Sequence, residues 1–165
     1  MNFEKAVAAS LKFEGGYSNH PHDSGGETKY GISSKAYPDI DIPNLTVEEA
    51  KAIYKRDYWY PSGADKLSEK LAIVHFDAAI NHGVTMAIRI LQKIVCTPVD
   101  GKFGPKTLIA FNEELKQTGE NSLIERYLRQ RESVYYSLVR SISKNKVFLK
   151  GWLARLEQLR KELLG

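Results

Sequence analysis

The chain has 165 residues, 42% of them hydrophobic and 27% charged, which is the composition of an ordinary globular protein and not of a disordered or fibrous one. Its 24 Lys and Arg exceed its 20 Asp and Glu; the basic excess favours an anionic partner, yet no basic arm, zinc-finger spacing or RNP-like aromatic strand points to nucleic acid. No run of about 18 apolar residues is present, which excludes a membrane-spanning helix, and the single cysteine, Cys96, excludes an internal disulfide.

The N-terminus, Met1-Asn2-Phe3-Glu4-Lys5-Ala6-Val7, lacks a charged-then-apolar signal peptide, so the expectation is synthesis in the cytoplasm without a leader. Phe3, Val7, Leu11 and Glu14 fall at helical spacing, and Gly15-Gly16 stops that helix. Residues 15–32 are dense in turn formers, with a short hairpin predicted to end near Tyr30-Gly31-Ile32. Thr46 with Glu49 three positions on is a capping box, opening a second helix that runs to about Tyr60 and ends at Pro61-Ser62-Gly63. A third helix starts near Ser68, carries Leu71, Val74, His75 and Ala78, and is broken at Asn81-His82-Gly83. A fourth spans Thr85 to Val95. Cys96 follows Ile94 and Val95 and reads as a buried small hydrophobe. Asp100-Gly101 is a turn, and Pro105 suits the first position of a fifth helix reaching about Lys116. A sixth runs from Asn121 to about Ser143, and a last from about Val147 to Leu164. The softest boundary lies at Pro61-Ser62-Gly63, dividing the chain into residues 1–62 and 63–165 within one compact unit.

Glycoside hydrolysis needs a carboxylic acid that keeps its proton near neutral pH, and usually a second carboxylate across the scissile bond. Glu14 has the setting for the first. It continues an apolar stripe, where desolvation raises a carboxyl pKa, and it sits at the negative end of the helix dipole. Gly15 and Gly16 remove side-chain bulk and let a sugar approach. From spacing alone, a surface Glu before a plain glycine cap is the alternative. Asp23, nine positions on, is the best second carboxylate, and the Thr28 hydroxyl is placed to hold a water beside it; a turn Asp and a strand Thr are the plainer readings. Glu27 is a rival carboxylate, or a solvated one. His20-Pro21-His22-Asp23 is short of a metal site, because zinc needs a further distant ligand, and His75 and His82 read as core or loop-cap histidines.

Glu14-Gly15-Gly16-Tyr17 followed by Asp23-Ser24-Gly25-Gly26-Glu27-Thr28-Lys29-Tyr30-Gly31-Ile32 resembles the signature of glycoside hydrolase family 108, a family of phage and bacterial N-acetylmuramidases. Ser24 stands where that family often has proline. The order Glu, Asp, Thr is also similar to phage-type lysozymes, in which these residues serve as acid, water-orienting carboxylate and water-holding hydroxyl. The resemblance therefore implies Glu14, Asp23 and Thr28 as catalytic residues. The segments Phe76 to Gly83, Asp100 to Thr107 and Gly151 to Arg155 resemble the predicted peptidoglycan-binding domain that accompanies the family. Asp77 and Asn81, one helical turn apart, either bind sugar or brace a loop. Tyr30, Tyr58, Trp59 and Tyr60 are candidate sugar platforms, with core packing the alternative for Trp59 and the preferred reading for Trp152.

Together these imply a mainly α, lysozyme-like fold, with a small N-terminal lobe bearing a loop or short hairpin and a helical C-terminal lobe. The implied activity is cleavage of the β-1,4 bond between N-acetylmuramic acid and N-acetylglucosamine in peptidoglycan. It calls for no metal and no organic cofactor, and for a monomer that reaches the wall after holin- or secretion-assisted release. A lytic transglycosylase and a non-catalytic wall-binding protein are the alternatives, with a zinc amidase or peptidase behind them.

Overall fold

The computed structural model describes residues 2–11, 16–19 and 25–165. Among them are seven α-helices: α1 Asn2–Leu11, α2 Val47–Tyr54, α3 Glu69–His82, α4 Val84–Ile94, α5 Pro105–Thr118, α6 Glu120–Ser141 and α7 Lys146–Leu164. The strands β1 (Thr28–Lys29) and β2 (Ile32–Ser33) pair antiparallel, Thr28 opposite Ser33 and Lys29 opposite Ile32. Tyr30 and Gly31 between them have φ of 51° and 77°, the positive-φ pair that a two-residue hairpin turn demands. The fold is mainly helical, as expected, but the hairpin lies further along than the sequence suggests: Tyr30-Gly31, expected near its end, form its turn, and the second strand is Ile32–Ser33.

The helices form where apolar spacing and end signals agree. α1 buries Phe3, Ala6, Val7 and Ser10, the one-face pattern of a 3.6-residue repeat, against α3. α3 is the central helix. Every residue from Leu71 to Ala79 is buried, because α1, α4 and α6 pack around it. α2 opens with the predicted capping box: Glu49 N donates to Thr46 Oγ1 at 3.2 Å and Thr46 N to Glu49 Oε2 at 2.8 Å, an arrangement that typically contributes about 1 kcal/mol. α2 continues as a π-helical stretch, Lys55–Trp59. A single buried core runs from Phe3 to Leu163.

Pro61-Ser62-Gly63 is a packed turn. Ser62 is fully buried, its hydroxyl donates to the Trp59 carbonyl at 3.1 Å, and Gly63 has φ of 76° with the Phe103 ring directly against it. Cys96 corrects the sequence reading: it is exposed. The apolar run outlasts the helix by one residue. Cys96 adopts φ of 55° where α4 ends, and this left-handed step turns its side chain to solvent while Thr97 N donates back to the Gln92 carbonyl at 3.1 Å. The following Asp-Gly turn is built around Gln92, which is 1% exposed. Its Nε2 donates to Asp100 Oδ1 at 2.8 Å and the Lys102 carbonyl at 3.0 Å, and its Oε1 accepts from Gly101 N at 2.9 Å.

Candidate active site

Glu14, Gly15 and Asp23 lie outside the described residues, as do His20, Pro21 and His22. What the structure describes is the frame on either side of them. Gly16 is exposed, and among the described residues an added Cβ there would meet nothing within 4 Å. Ser18 and Thr28 form a two-way backbone bridge, Ser18 N to Thr28 O at 2.7 Å and Thr28 N to Ser18 O at 2.8 Å. This bridge ties the residues after Gly16 to β1. Thr28 is half-buried, and its hydroxyl donates to the Gly26 carbonyl at 3.3 Å, which leaves its oxygen lone pairs to accept a hydrogen bond from water. Glu27 accepts from Tyr17 Oη at 3.1 Å and Asn19 Nδ2 at 3.4 Å; it braces this loop. Tyr30 has its carbonyl held by Tyr54 Oη at 2.6 Å and Lys29 Nζ 5.5 Å from its ring centre.

Below the end of α1 lies a buried charge network. Asp77 on α3 is 1% exposed and Arg131 on α6 is fully buried. Arg131 Nη1 donates to Asp77 Oδ2 at 2.8 Å, and Arg155 on α7 reaches the same carboxylate with Nη2 at 2.5 Å and Nε at 3.1 Å. Ser10, in the last turn of α1, donates to Asp77 Oδ1 at 3.4 Å. Burial alone would raise the Asp77 pKa; Arg131 and Arg155 outweigh it and hold the carboxyl below its ordinary range. Asn81 Nδ2 donates to the Asp77 carbonyl at 2.8 Å and to Oδ2 at 3.3 Å. Arg131 also donates to His82 Nε2 at 3.3 Å and Tyr135 Oη at 3.3 Å, so His82 is neutral here, its pKa lowered to about 3 by burial and by Arg131. Of the two roles read for Asp77 and Asn81, this geometry is that of a brace: both lone-pair faces of the carboxylate are occupied by protein donors.

Trp59 departs from the expected sugar platform. It is 4% exposed, with Phe3 and Phe76 set edge-on to it at 5.5 and 5.6 Å. Phe3 begins α1 and Ser10 is near its end, a separation of roughly 10 Å along the helix axis. Trp59 therefore packs at the N-terminal end of α1, the far end from Ser10. Its neighbour Tyr60 is 54% exposed at that same far end, beside Lys55. Tyr58 is half-buried against Tyr54, ring centres 5.7 Å apart.

Three groups were not picked out by sequence pattern. Arg131 and Arg155 look like helix-surface cations, and only the tertiary fold brings them to Asp77. Asp57 sits in the π-helical stretch, where Tyr37 Oη donates to Oδ2 at 2.8 Å and Arg56 Nε to Oδ1 at 2.6 Å. The Arg56 contact holds Asp57 below the usual carboxylate range, so it is an ionised group braced against the loop that follows the hairpin. The π-helical irregularity, a feature common at functional sites, is the signal that marks it. His75 is fully buried, with Nε2 donating to the Ser62 carbonyl at 3.0 Å and Nδ1 2.8 Å from Tyr127 Oη; it is a satisfied core histidine. No group of three or more His, Cys, Asp or Glu able to hold a metal occurs among the described residues.

Residues 7–83 match the family model described as Glycosyl hydrolase 108, and residues 86–157 match the one described as Predicted Peptidoglycan domain. Among solved structures the chain is similar to SagA of Brucella abortus, at 30% identity over 98% of this chain and 93% of that chain, with a TM-score of 0.81. No curated protein matches the chain.

Proposed function

Because the chain belongs to the glycosyl hydrolase 108 family, with a predicted peptidoglycan domain following the hydrolase region, we propose that it is an N-acetylmuramidase. The matched regions make it a glycoside hydrolase that acts on peptidoglycan; the finer reading is hydrolysis of the β-1,4 bond between N-acetylmuramic acid and N-acetylglucosamine. Glu14 gives its proton to the glycosidic oxygen as the bond to the anomeric carbon breaks. A water held by Thr28 and deprotonated by Asp23 adds to that carbon, leaving a reducing-end muramic acid. Tyr30, Gly15 and Gly16 line the approach of the glycan. The scheme uses no metal or organic cofactor and one copy of the chain. In the cell the protein reaches the wall through a holin or a secretion system.

The observation that supports this reading best is the frame around the motif. The helix leading to Glu14 is tied through Ser10 to the Asp77 network, and the segment after Gly16 is tied to Thr28 by the Ser18 bridge. Anchors on both sides of the undescribed residues, at Ser10 and at Ser18, support a reading in which the motif between them holds a positioned acid. The test is mass spectrometry of products from purified peptidoglycan, with wild type beside Glu14→Gln. Reducing-end muramic acid from wild type alone supports the proposal. An anhydro product, lighter by one water, would make the enzyme a lytic transglycosylase. Unchanged digestion by Glu14→Gln would remove Glu14 from the mechanism.

A further inference from the structure

The α6–α7 hairpin carries a pattern that hydrolysis does not use. From Ser133 to Leu156 there are five cations, Arg140, Lys144, Lys146, Lys150 and Arg155, and no Asp or Glu. The rest of the chain holds 19 Lys and Arg against 20 Asp and Glu, so the protein's whole positive excess resides in this hairpin. Arg155 is turned inward to Asp77. The other four join no ion pair among the described residues, whereas Arg126, Arg129 and Arg160 nearby are paired with glutamates.

The same tip exposes apolar side chains. Ile142, in the connection between the helices, is 46% exposed; Val147 and Phe148, in the first turn of α7, are 78% and 55% exposed. Phe148 stacks on Trp152 with ring centres 5.8 Å apart, and Trp152 on Tyr135 at 4.8 Å. This stack holds the Phe148 ring out at the tip. Three exposed apolar residues, close in sequence to four cations that join no ion pair among the described residues, suit a partner that is both apolar and anionic.

We propose that the tip of the α6–α7 hairpin docks on an anionic phospholipid surface. Ile142, Val147 and Phe148 enter the headgroup region, and Arg140, Lys144, Lys146 and Lys150 meet the lipid phosphates. A glycan fits this tip less well. Sugar hydroxyls are recognised by a few precisely placed polar groups such as carboxylates and amides; the stretch has no carboxylate, and the Asn145 amide donates to the Leu138 carbonyl at 3.3 Å. Ile142 and Val147 also offer no ring face for stacking. The proposal is independent of which peptidoglycan bond is cut, and it describes peripheral contact: no helix among the described residues is long and apolar enough to cross a membrane.

The test is co-sedimentation of the full chain with vesicles of phosphatidylcholine alone and of phosphatidylcholine mixed with phosphatidylglycerol. Binding is expected only to the mixed vesicles, weakened about fivefold by each of Lys144→Gln and Lys150→Gln and reduced to background by Val147→Ser with Phe148→Ser. Digestion of soluble peptidoglycan fragments by these variants stays at the wild-type rate, which shows that they are folded. Failure to bind the mixed vesicles, equal binding to neutral ones, or undiminished binding by the double serine variant would each overturn the proposal. So would variants that lose binding to purified sacculi while holding vesicles as before, since the tip would then be a wall-binding site.

Discussion

Replacing Asp77 with Asn changes almost nothing in shape and removes the carboxylate charge that pairs with Arg131 among the described residues. Arg131 is fully buried and Asp77 is 1% exposed, so water cannot compensate. Removing one partner of a buried pair typically costs about 3–5 kcal/mol, most of it the penalty of the stranded charge. For a chain of this size that corresponds to a fall in melting temperature of roughly 6–20 °C. Arg155, with 11% of its side chain exposed, has an escape that Arg131 lacks. The cost should therefore belong mainly to Arg131, and Asp77→Leu combined with Arg131→Met should recover most of it. Urea unfolding at neutral pH measures both quantities. An Asp77→Asn protein within about 1 kcal/mol of wild type, or a double variant as unstable as the sum of its singles, would refute the view that this carboxylate exists to hold α6 and α7 beneath the end of α1.

Acid should destabilise the fold through its buried histidines, His75 and His82. Burial lowers the pKa of His75 to about 4, and burial with Arg131 lowers that of His82 to about 3, whereas unfolded histidine titrates near 6.5. Between these values the unfolded chain binds more protons, so stability is full above about pH 6.5 and falls as the pH is lowered towards 4, by up to about 2.7 kcal/mol per pH unit if both histidines contribute; equal urea midpoints at pH 7 and pH 5 would contradict this. Gly63→Ala places a Cβ 2.5 Å from the Phe103 ring at a φ of 76°, and should cost more than about 1 kcal/mol in thermal unfolding, part of it recovered by Phe103→Ala. Gln92→Leu leaves the buried Gly101 N–H without its acceptor and should cost about 1–3 kcal/mol, with faster amide exchange at Gly101.

The helices were legible because their signals are local. Apolar spacing, the Thr46–Glu49 box, Gly83 and Pro105 each act within a few residues. The site's support was not legible, because Asp77 finds Arg131 and Arg155 at separations of 54 and 78 residues, and nothing in a helical stripe tells a buried arginine from a surface one. Tyr58-Trp59-Tyr60 reads as one aromatic platform, yet successive side chains along a helical stretch point in different directions, so Trp59 enters the core while Tyr60 meets solvent. Cys96 was misread because apolar runs do not announce where a helix ends. The roles of Glu14, Gly15 and Asp23, outside the described residues, rest on the motif they belong to.

The two matched regions meet between residues 83 and 86, yet that junction lies inside one core. α3 has no side-chain cap of its own at Ser68; instead Glu120 of α6 accepts from Lys70 N at 3.0 Å and Leu71 N at 3.3 Å. Lys70 Nζ donates to the Leu163 carbonyl at 2.9 Å, the Tyr127 hydroxyl bridges His75 and the Ala87 carbonyl, and Arg131 and Arg155 neutralise Asp77. A fragment ending at residue 84 keeps the whole glycosyl hydrolase match but would expose the α6-facing side of α3 and strand His75 and Asp77. Apolar area lost from the core removes about 25 cal/mol per Å², more than a small lobe with marginal stability can lose. The fragment is therefore expected to show no cooperative thermal transition and to bind a hydrophobic dye, and mixing it with residues 85–165 should restore the transition. A cooperative transition from the fragment alone would show that the hydrolase region folds without the helices behind it, and that Arg131 and Arg155 are additions to the site and not its foundation.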